Sequence, residues 1–281
     1  MKAALVQMTS SDDPAANLSA TLEFIAEAEG ADLILTPEVT NCLSGSRARQ
    51  HEVLRTEAED ETLPALRAAA RKQGAWLLIG SLALKAEDGE GGSAAAAPFV
   101  NRSFLIDPSG EVAARYDKIH MFDVDLGEGE SFRESAGYRP GSRAVLAETP
   151  FGALGLTVCY DLRFAYLYRA LARAGARILT VPAAFAATTG RAHWEVLLRA
   201  RAIETGCFVL APAQCGEHPA SAGGALRRTH GHSMAVAPWG EVLADGGDAP
   251  GVTMVDLDLA EVEKARRRVP SLAHDRTFEG P

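Results

Sequence analysis

Short apolar runs alternate along the chain with segments whose apolar residues recur every three or four positions. Ala3-Ala4-Leu5-Val6-Gln7-Met8 reads as a buried strand. Pro14 to Glu29 reads as a helix, since Asp12 or Asp13 can cap it, Pro14 suits its first turn, and Leu18, Leu22 and Ile25 share a face. The same reasoning predicts a strand from Ala31 to a terminal Pro37-Glu38 pair, a helix over Leu63 to Gln73 and a strand over Trp76 to Leu84. Phe99 to Ile106 and Val112 to Tyr116 read as strands flanking the turn Asp107-Pro108-Ser109-Gly110. The polar, small-residue stretch 86–98 is a hairpin-tip candidate. The second half repeats the theme, with strands over Leu154 to Cys159, Ile178 to Val181 and Phe208 to Ala213, and helices over Phe164 to Ala174 and His193 to Glu204. Antiparallel strands follow at Gly231 to Val236, Glu241 to Ala244 and Val252 to Leu257, and a helix closes the pattern from Leu259 to Arg268. Strands buried on both faces, interleaved with helices, predict a layered α/β fold. No linker splits the chain, so 1–281 is expected to form one domain.

Composition narrows the function classes. The 281 residues are 47% hydrophobic and 23% charged, enough apolar surface to fold without a disulfide or metal staple. Lys+Arg 28 against Asp+Glu 37 gives a net charge of −9, which argues against nucleic acid as a partner. The run Arg266-Arg267-Arg268 reads as a solvated helix face. No signal peptide or long apolar stretch is present, so no membrane association is expected. Cys42, Cys159, Cys207 and Cys215 show no paired spacing, and a reducing cytoplasm with free thiols is the expectation.

Three chemically capable residues stand at strand ends, where layered α/β folds gather their sites. Glu38 follows LILTP, Cys159 follows GLTV, and Lys118 follows VAARYD. Each alone has a bland reading: Glu38 as a surface loop residue, Lys118 as a solvated cation, Cys159 as a small core residue. Together they suffice for acyl transfer to sulfur without a histidine. A carboxylate takes the thiol proton, and an ammonium steadies both thiolate and oxyanion. A dry site is expected to raise the glutamic acid toward neutrality, which suits a group that accepts and returns a proton.

With LILTPE (33–38), YDKIHMFD (116–123), SFRES (131–135), VCYDLRF (158–164), GRAHWEVLLRARAIET (190–205) and HGHSMAVAPWGEVLA (230–244) in this order, the chain resembles the nitrilase superfamily of carbon–nitrogen hydrolases. It is similar above all to the Nit1/Nit2 branch, and there to the Nit1-type deaminated-glutathione amidases, through TGRAHWEVLLRARAIET and APAQCG (211–216). The resemblance implies a four-layer α-β-β-α sandwich, a homodimer, and neither cofactor nor metal. By the same resemblance Glu38 is the general base, Lys118 the catalytic lysine, Cys159 the nucleophile, and Glu134 a second glutamate orienting Lys118 and the substrate amide. The Tyr160 N–H would complete the oxyanion hole. Asp123, Asp125, Glu128 and Glu130 are alternative acids in that stretch, Glu130 being the fallback for Glu134. The implied substrate is a small carboxylated amide, foremost deaminated glutathione. An ω-amidase acting on 2-oxoglutaramate or 2-oxosuccinamate, a broader aliphatic amidase or N-carbamoyl hydrolase, and an inactive dimeric scaffold are the alternatives. An acidic protein must supply arginines for such a substrate. Arg163, four residues past the thiol, is the candidate, or else a structural partner of Asp161 or Glu204, and Arg191, Arg227 and Arg228 lie in expected rim loops. The helices at Phe164–Ala174 and Leu259–Arg268 are candidate interface elements.

Other motifs read as structural. Gly231-His232-Ser233-Met234-Ala235 nearly matches a serine-hydrolase elbow, but it lacks the final glycine and a following helix. His218, His230 and His232 lack a metal-site frame, and His120 and His193 are expected to make structural hydrogen bonds. Gly127-Glu128-Gly129 is not a phosphate loop, and Cys42 is expected near the pocket rim.

Overall fold

A computed structural model describes residues 1–87, 98–127, 130–220 and 227–280. Most of the small-residue loop at 86–98, and Glu128 and Gly129, lie outside the described residues. The first half contains β1 (Lys2–Gln7), α1 (Pro14–Glu27), β2 (Leu33–Leu35), α2 (Arg47–Val53), α3 (Thr62–Gln73), β3 (Trp76–Lys85), β4 (Phe99–Ile106) and β5 (Val112–Asp117). Short strands β6 (Asp123–Asp125), β7 (Ser131–Arg133) and β8 (Tyr138–Arg139) follow. The second half contains β9 (Val145–Ala147), β10 (Ala153–Leu156), α4 (Ala165–Arg173), β11 (Ala176–Thr180), α5 (Ala187–Thr205), β12 (Phe208–Ala211), β13 (Cys215–His218), β14 (Arg227–His230), β15 (Met234–Val236), β16 (Val242–Asp245), β17 (Gly251–Asp256) and α6 (Ala260–Arg268).

Two sheets form the middle of the molecule. The first runs β17-β1-β2-β3-β4-β5, with β8 also paired to β4, and the second runs β16-β15-β12-β11-β10-β9. The alternation of side chains along a strand divides the core. Ala3, Leu5, Leu33, Leu35 and Leu78 point toward the second sheet and join its residues in one cluster that also takes in Leu167 and Leu171 of α4 and Trp194, Leu198 and Ala202 of α5. Ala4, Val6, Ile34, Leu77 and Ile79 point the other way, onto Ile25 of α1, Ala28 just past its end, and Leu66 and Ala70 of α3. The layers are therefore α1/α3, first sheet, second sheet, α4/α5, which is the α-β-β-α sandwich expected above. The chain closes on itself where β17 leaves the second sheet's neighbourhood and pairs antiparallel with β1, from Lys2↔Asp256 to Gln7↔Gly251.

Several expectations are corrected in extent. Helix α5 starts at Ala187 rather than His193, because tertiary contacts hold Thr188-Thr189-Gly190, poor helix formers, in helical form. The predicted strands ending at Glu38, Cys159 and Ala213 stop at Leu35, Leu156 and Ala211, since the chain turns away from its neighbours to form loops. Helix α2 and strands β6 to β9, β13 and β14 had no periodic signal of their own; most are three or four residues long. No helix among the described residues is long and apolar enough to cross a membrane.

Candidate active site

The loops past the C-terminal ends of β2, β5, β10 and β11 converge between the sheets. Glu38 lies three residues beyond β2, Lys118 directly beyond β5, Cys159 three residues beyond β10, and Ala184 four beyond β11. Together they line a cavity of about 760 Å³ that also includes Asn101, Phe122, Glu134, Tyr160 and Phe185.

Lys118, 2% exposed, bridges two carboxylates. Its Nζ donates to Glu38 Oε1 at 2.9 Å and to Glu134 Oε1 and Oε2 at 3.0 and 2.8 Å. Asn101 Nδ2 donates to Glu38 Oε1 at 2.9 Å, and the Ala184 N–H to Glu38 Oε2 at 2.8 Å. The Cys159 thiol lines the same cavity as the Glu38 carboxylate and Ala184, close enough for each to shift its pKa. Glu134 Oε2 also accepts from the Phe122 N–H at 2.6 Å. Of the alternative acids, Glu130 instead accepts from Thr188, Asp123 holds Ser135, and Asp125 caps the Gly127 N–H; Glu128 lies outside the described residues.

Backbone strain concentrates here. Cys159 has φ +49° and Val39, next to Glu38, has φ +48°, values that side-chain-bearing residues seldom adopt, least of all a β-branched one. Two networks hold these turns. The Cys159 N–H donates to the Pro182 carbonyl at 2.9 Å, and the fully buried Asp161 accepts from the Val158 N–H, the Tyr116 hydroxyl and the His120 N–H, with His120 Nδ1 at 2.7 Å. Asp161 thus ties the cysteine turn to the segment carrying Lys118. On the other side, a register shift in β3 at Gly80 and Ser81 turns the Ser81 hydroxyl onto the Val39 N–H at 2.8 Å. Gln214 donates to the Glu38 carbonyl at 3.0 Å, linking it to the second sheet.

The charge pattern corrects the expected state of Glu38. Burial pushes its carboxyl up, but Lys118, the hydrogen bond from Cys159 and Arg227 outweigh burial and hold it below the ordinary carboxylate value of 4.5. Burial pushes the Cys159 thiol well up, the Glu38 charge adds to this, and Lys118 only partly opposes it. Burial works against the Lys118 charge, yet Glu134 and Glu38 keep the ammonium protonated well above its ordinary value. The resting state is therefore a neutral thiol beside an ionised glutamate. Moving the thiol proton onto Glu38 leaves the net charge of the cavity unchanged, whereas losing it to water would leave a thiolate directly beside the Glu38 carboxylate.

The remaining predicted residues separate. Tyr160 lines the cavity, and its N–H is the second in the 3-10 turn Cys159–Arg163, among the early groups that find no carbonyl within their own helix. Arg163 is not among the lining residues. Its guanidinium lies over Phe185 (5.3 Å) and Tyr160 (5.9 Å) and 3.3 Å from His193 Nδ1, and neither proposed structural partner takes it: Asp161 is engaged as described and Glu204 pairs with Arg201. Arg191, Arg227 and Arg228 do line the cavity. So does Cys42, whose thiol is pushed up to about 12 by burial. The Ser233 hydroxyl of the elbow-like motif is buried and accepts the Ala213 N–H, so it serves the strand. Asn101, Asp161, Ala184 and Gly80 carried no chemical signal in the sequence that marked them for this site.

The carbon–nitrogen hydrolase family model matches residues 2–267. The chain is 41% identical to the deaminated glutathione amidase of Yersinia enterocolitica over 276 residues, covering 97% of this chain and 92% of that protein. It is 39% identical to the deaminated glutathione amidase of Homo sapiens, with coverage of 97% and 81%. Among solved structures, Saccharomyces cerevisiae Nit3, a member of branch 10 of the nitrilase superfamily, superposes with a TM-score of 0.82 at 27% identity, covering 96% of this chain and 94% of that one. A family match across nearly the whole chain, on a fold that joins a glutamate, a lysine and a cysteine in one cavity, places this protein in the carbon–nitrogen hydrolase family, within the nitrilase superfamily.

Proposed function

We propose that this chain hydrolyses the amide bond of deaminated glutathione, giving 2-oxoglutarate and cysteinylglycine, through a thioester on Cys159. The observation that carries the reading is the hydrogen-bonded set formed by Glu38, Lys118 and Glu134, lining the same cavity as the Cys159 thiol. Cys159 Sγ attacks the amide carbon as its proton passes to Glu38, so the C–S bond forms without a free thiolate at rest. Lys118 Nζ and the Tyr160 N–H donate to the oxyanion, while Glu134 holds Lys118 in place. Glu38 then protonates the departing amine as the C–N bond breaks. In the second half, Glu38 takes a proton from water as the water oxygen attacks the thioester carbon; the C–S bond then breaks, releasing 2-oxoglutarate, and the proton returns to sulfur.

The lining supports an anionic substrate. Among the described residues it holds Lys118 and the arginines 47, 133, 191, 227 and 228 against the carboxylates of Glu38, Glu130 and Glu134, an excess of positive charge in a protein of net charge −9. The volume falls in the usual range for small-molecule sites. Intact-mass spectrometry of enzyme quenched during turnover tests the chemistry: an acyl adduct on Cys159 is expected, and its absence, together with a Cys159→Ala variant that keeps its rate, refutes it. Side-by-side kcat/KM for deaminated glutathione and 2-oxoglutaramate tests the substrate, with the first expected to be higher.

Three coarser expectations accompany this reading. Residues 1–281 act as one domain, supported by the pairing of β17 with β1. The protein is a homodimer: Tyr166 on α4 and Val196 and Ile203 on α5 are 67%, 66% and 55% exposed on the outer helical layer, and light scattering checks the mass. Its compartment is the cytoplasm, in keeping with four free, buried thiols, and cell fractionation checks this.

A further inference from the structure

Among the arginines of the cavity, one is left short of partners. Arg227 opens β14, opposite His218 of β13, and is only partly exposed. Its Nη2 donates to the Ala184 carbonyl at 3.1 Å, and its guanidinium lies 5.5 Å from the centre of the Phe132 ring. Its Nε, buried from solvent, has no hydrogen-bond partner among the described residues. A buried donor without an acceptor costs free energy in the empty protein, and that cost is recovered when an acceptor enters. The other cavity arginines are differently placed. Arg228 pairs with Glu217, Arg47 donates to Gln50 and the Arg133 carbonyl, and Arg133 and Arg191 are exposed.

The location gives Arg227 a direct bearing on the reaction. The residue whose carbonyl it holds, Ala184, presents its N–H to the Glu38 carboxylate and the Cys159 thiol. The guanidinium therefore lines the same cavity as Cys159, held by a carbonyl on one edge and an aromatic face, with Nε unpartnered among the described residues. Planar guanidinium pairs with a carboxylate through two parallel N–H groups, a geometry an ammonium lacks.

We propose that Arg227 is the specificity-determining residue that anchors a carboxylate of the substrate, through Nε and a neighbouring Nη. The inference rests on the reading that Cys159 opens an amide of an anionic substrate, and it names the group that selects for the charge. In deaminated glutathione the carboxylate lies either on the 2-oxo-acid side, which 2-oxoglutaramate shares, or on the glycine side, which it lacks.

The test uses the full chain as wild type, Arg227→Met and Arg227→Lys. For each, kcat/KM is measured on deaminated glutathione and on 2-oxoglutaramate. The second-order rate of Cys159 alkylation by iodoacetamide, a small neutral amide, serves as reference. Arg227 also acts on the Glu38 charge, an effect common to hydrolysis and alkylation, so the ratio of the two rates isolates carboxylate recognition. The ratio is expected to fall about 100-fold in Arg227→Met and roughly 10-fold in Arg227→Lys, which keeps the charge but loses the fork. A loss on both substrates assigns the 2-oxo-acid carboxylate, and a loss on deaminated glutathione alone assigns the glycine carboxylate; either supports the proposal. A ratio within threefold of wild type on both substrates overturns it while leaving the amidase reading intact. If Arg227→Met does not fold, Arg227→Lys decides by the same ratio. A wild-type enzyme that hydrolyses neither substrate and forms no adduct on Cys159 removes the amidase reading, and the role of Arg227 with it.

Discussion

Adding one methyl group at Gly80 should disable the site from behind. Gly80 lies in β3, at the register shift that brings Ser81 under the Glu38 turn. A Cβ there would meet the Thr36 carbonyl oxygen at 2.0 Å, the Pro37 carbonyl oxygen at 2.5 Å and Pro182 Cβ at 2.5 Å. Ordinary van der Waals contact begins at about 3.4 Å, so these groups must retreat by roughly 1 Å. They have little room to do so. Thr36 and Pro37 are tied to the strand by the bonds from Thr36 N–H to the Leu78 carbonyl and from Ser81 N–H to the Pro37 carbonyl, and Pro182 accepts the Cys159 N–H. Pro37 leads directly into Glu38, and Pro182 lies two residues before Ala184, so the methyl group would drive apart the Glu38 carboxylate and the Ala184 N–H that donates to it. A displacement of about 1 Å at reacting groups costs roughly 100-fold in rate. Overpacking costs about 1–3 kcal/mol, which for a chain of this size is about 2–5 °C in Tm. The assay is kcat/KM together with Tm for Gly80→Ala, with Gly251→Ala as comparison, since a Cβ at Gly251 meets nothing within 4 Å in the same sheet. Gly80→Ala should lose about 100-fold in kcat/KM, while Gly251→Ala stays near wild type in both measurements. If Gly80→Ala keeps its rate within about threefold and its Tm, the claim that the two sheets meet rigidly behind the site is wrong.

Further expectations concern charge. Because Glu38 is held below 4.5 and the Cys159 thiol well above 9.0, kcat/KM should be flat from pH 5 through neutrality, with its acid limb below the ordinary carboxylate range. A rate that instead climbs toward pH 9, tracking thiolate formation, would contradict the resting state described here. His218 Nδ1 donates to the Ser10 carbonyl at 2.8 Å and Nε2 accepts from Thr229 at 2.6 Å; burial, with a smaller push from Arg227, lowers its pKa from 6.5 to about 4. The folded protein therefore binds this proton less readily than the unfolded chain. The stabilisation is present above pH 6.5 and is lost as the pH falls toward 4, amounting to about 2 kcal/mol by pH 5. Urea denaturation at pH 7.5 and 5.0 should show a smaller pH dependence in His218→Gln than in wild type. Asp161→Asn keeps the shape but replaces an acceptor of several buried donors, and should cost about 3 kcal/mol and most of the activity; unchanged denaturation and kcat would show that the network does not position the cysteine turn.

The sequence by itself determined what depends on near neighbours. Strand Phe99–Ile106 and helix Leu63–Gln73 were legible because periodicity and bounding turn residues act within a few positions, and Pro-Glu, Asp-Lys and Val-Cys at strand ends marked where chemistry belongs. Only the tertiary structure decided matters that act across long stretches of chain. Asn101 is an ordinary strand residue until the fold brings it to Glu38, 63 positions away, and the Ala184 N–H that orients Glu38 comes from 146 positions away. Gly80 signalled nothing by pattern; its lack of a side chain matters because Pro37 and Pro182 close on it from different sheets. The charge of Glu38 was misread for the same reason. Burial alone argues for a raised pKa, but the outcome depends on Lys118, Cys159 and Arg227, whose distances from the carboxylate are set by how the two sheets stack and by nothing local to LILTPE.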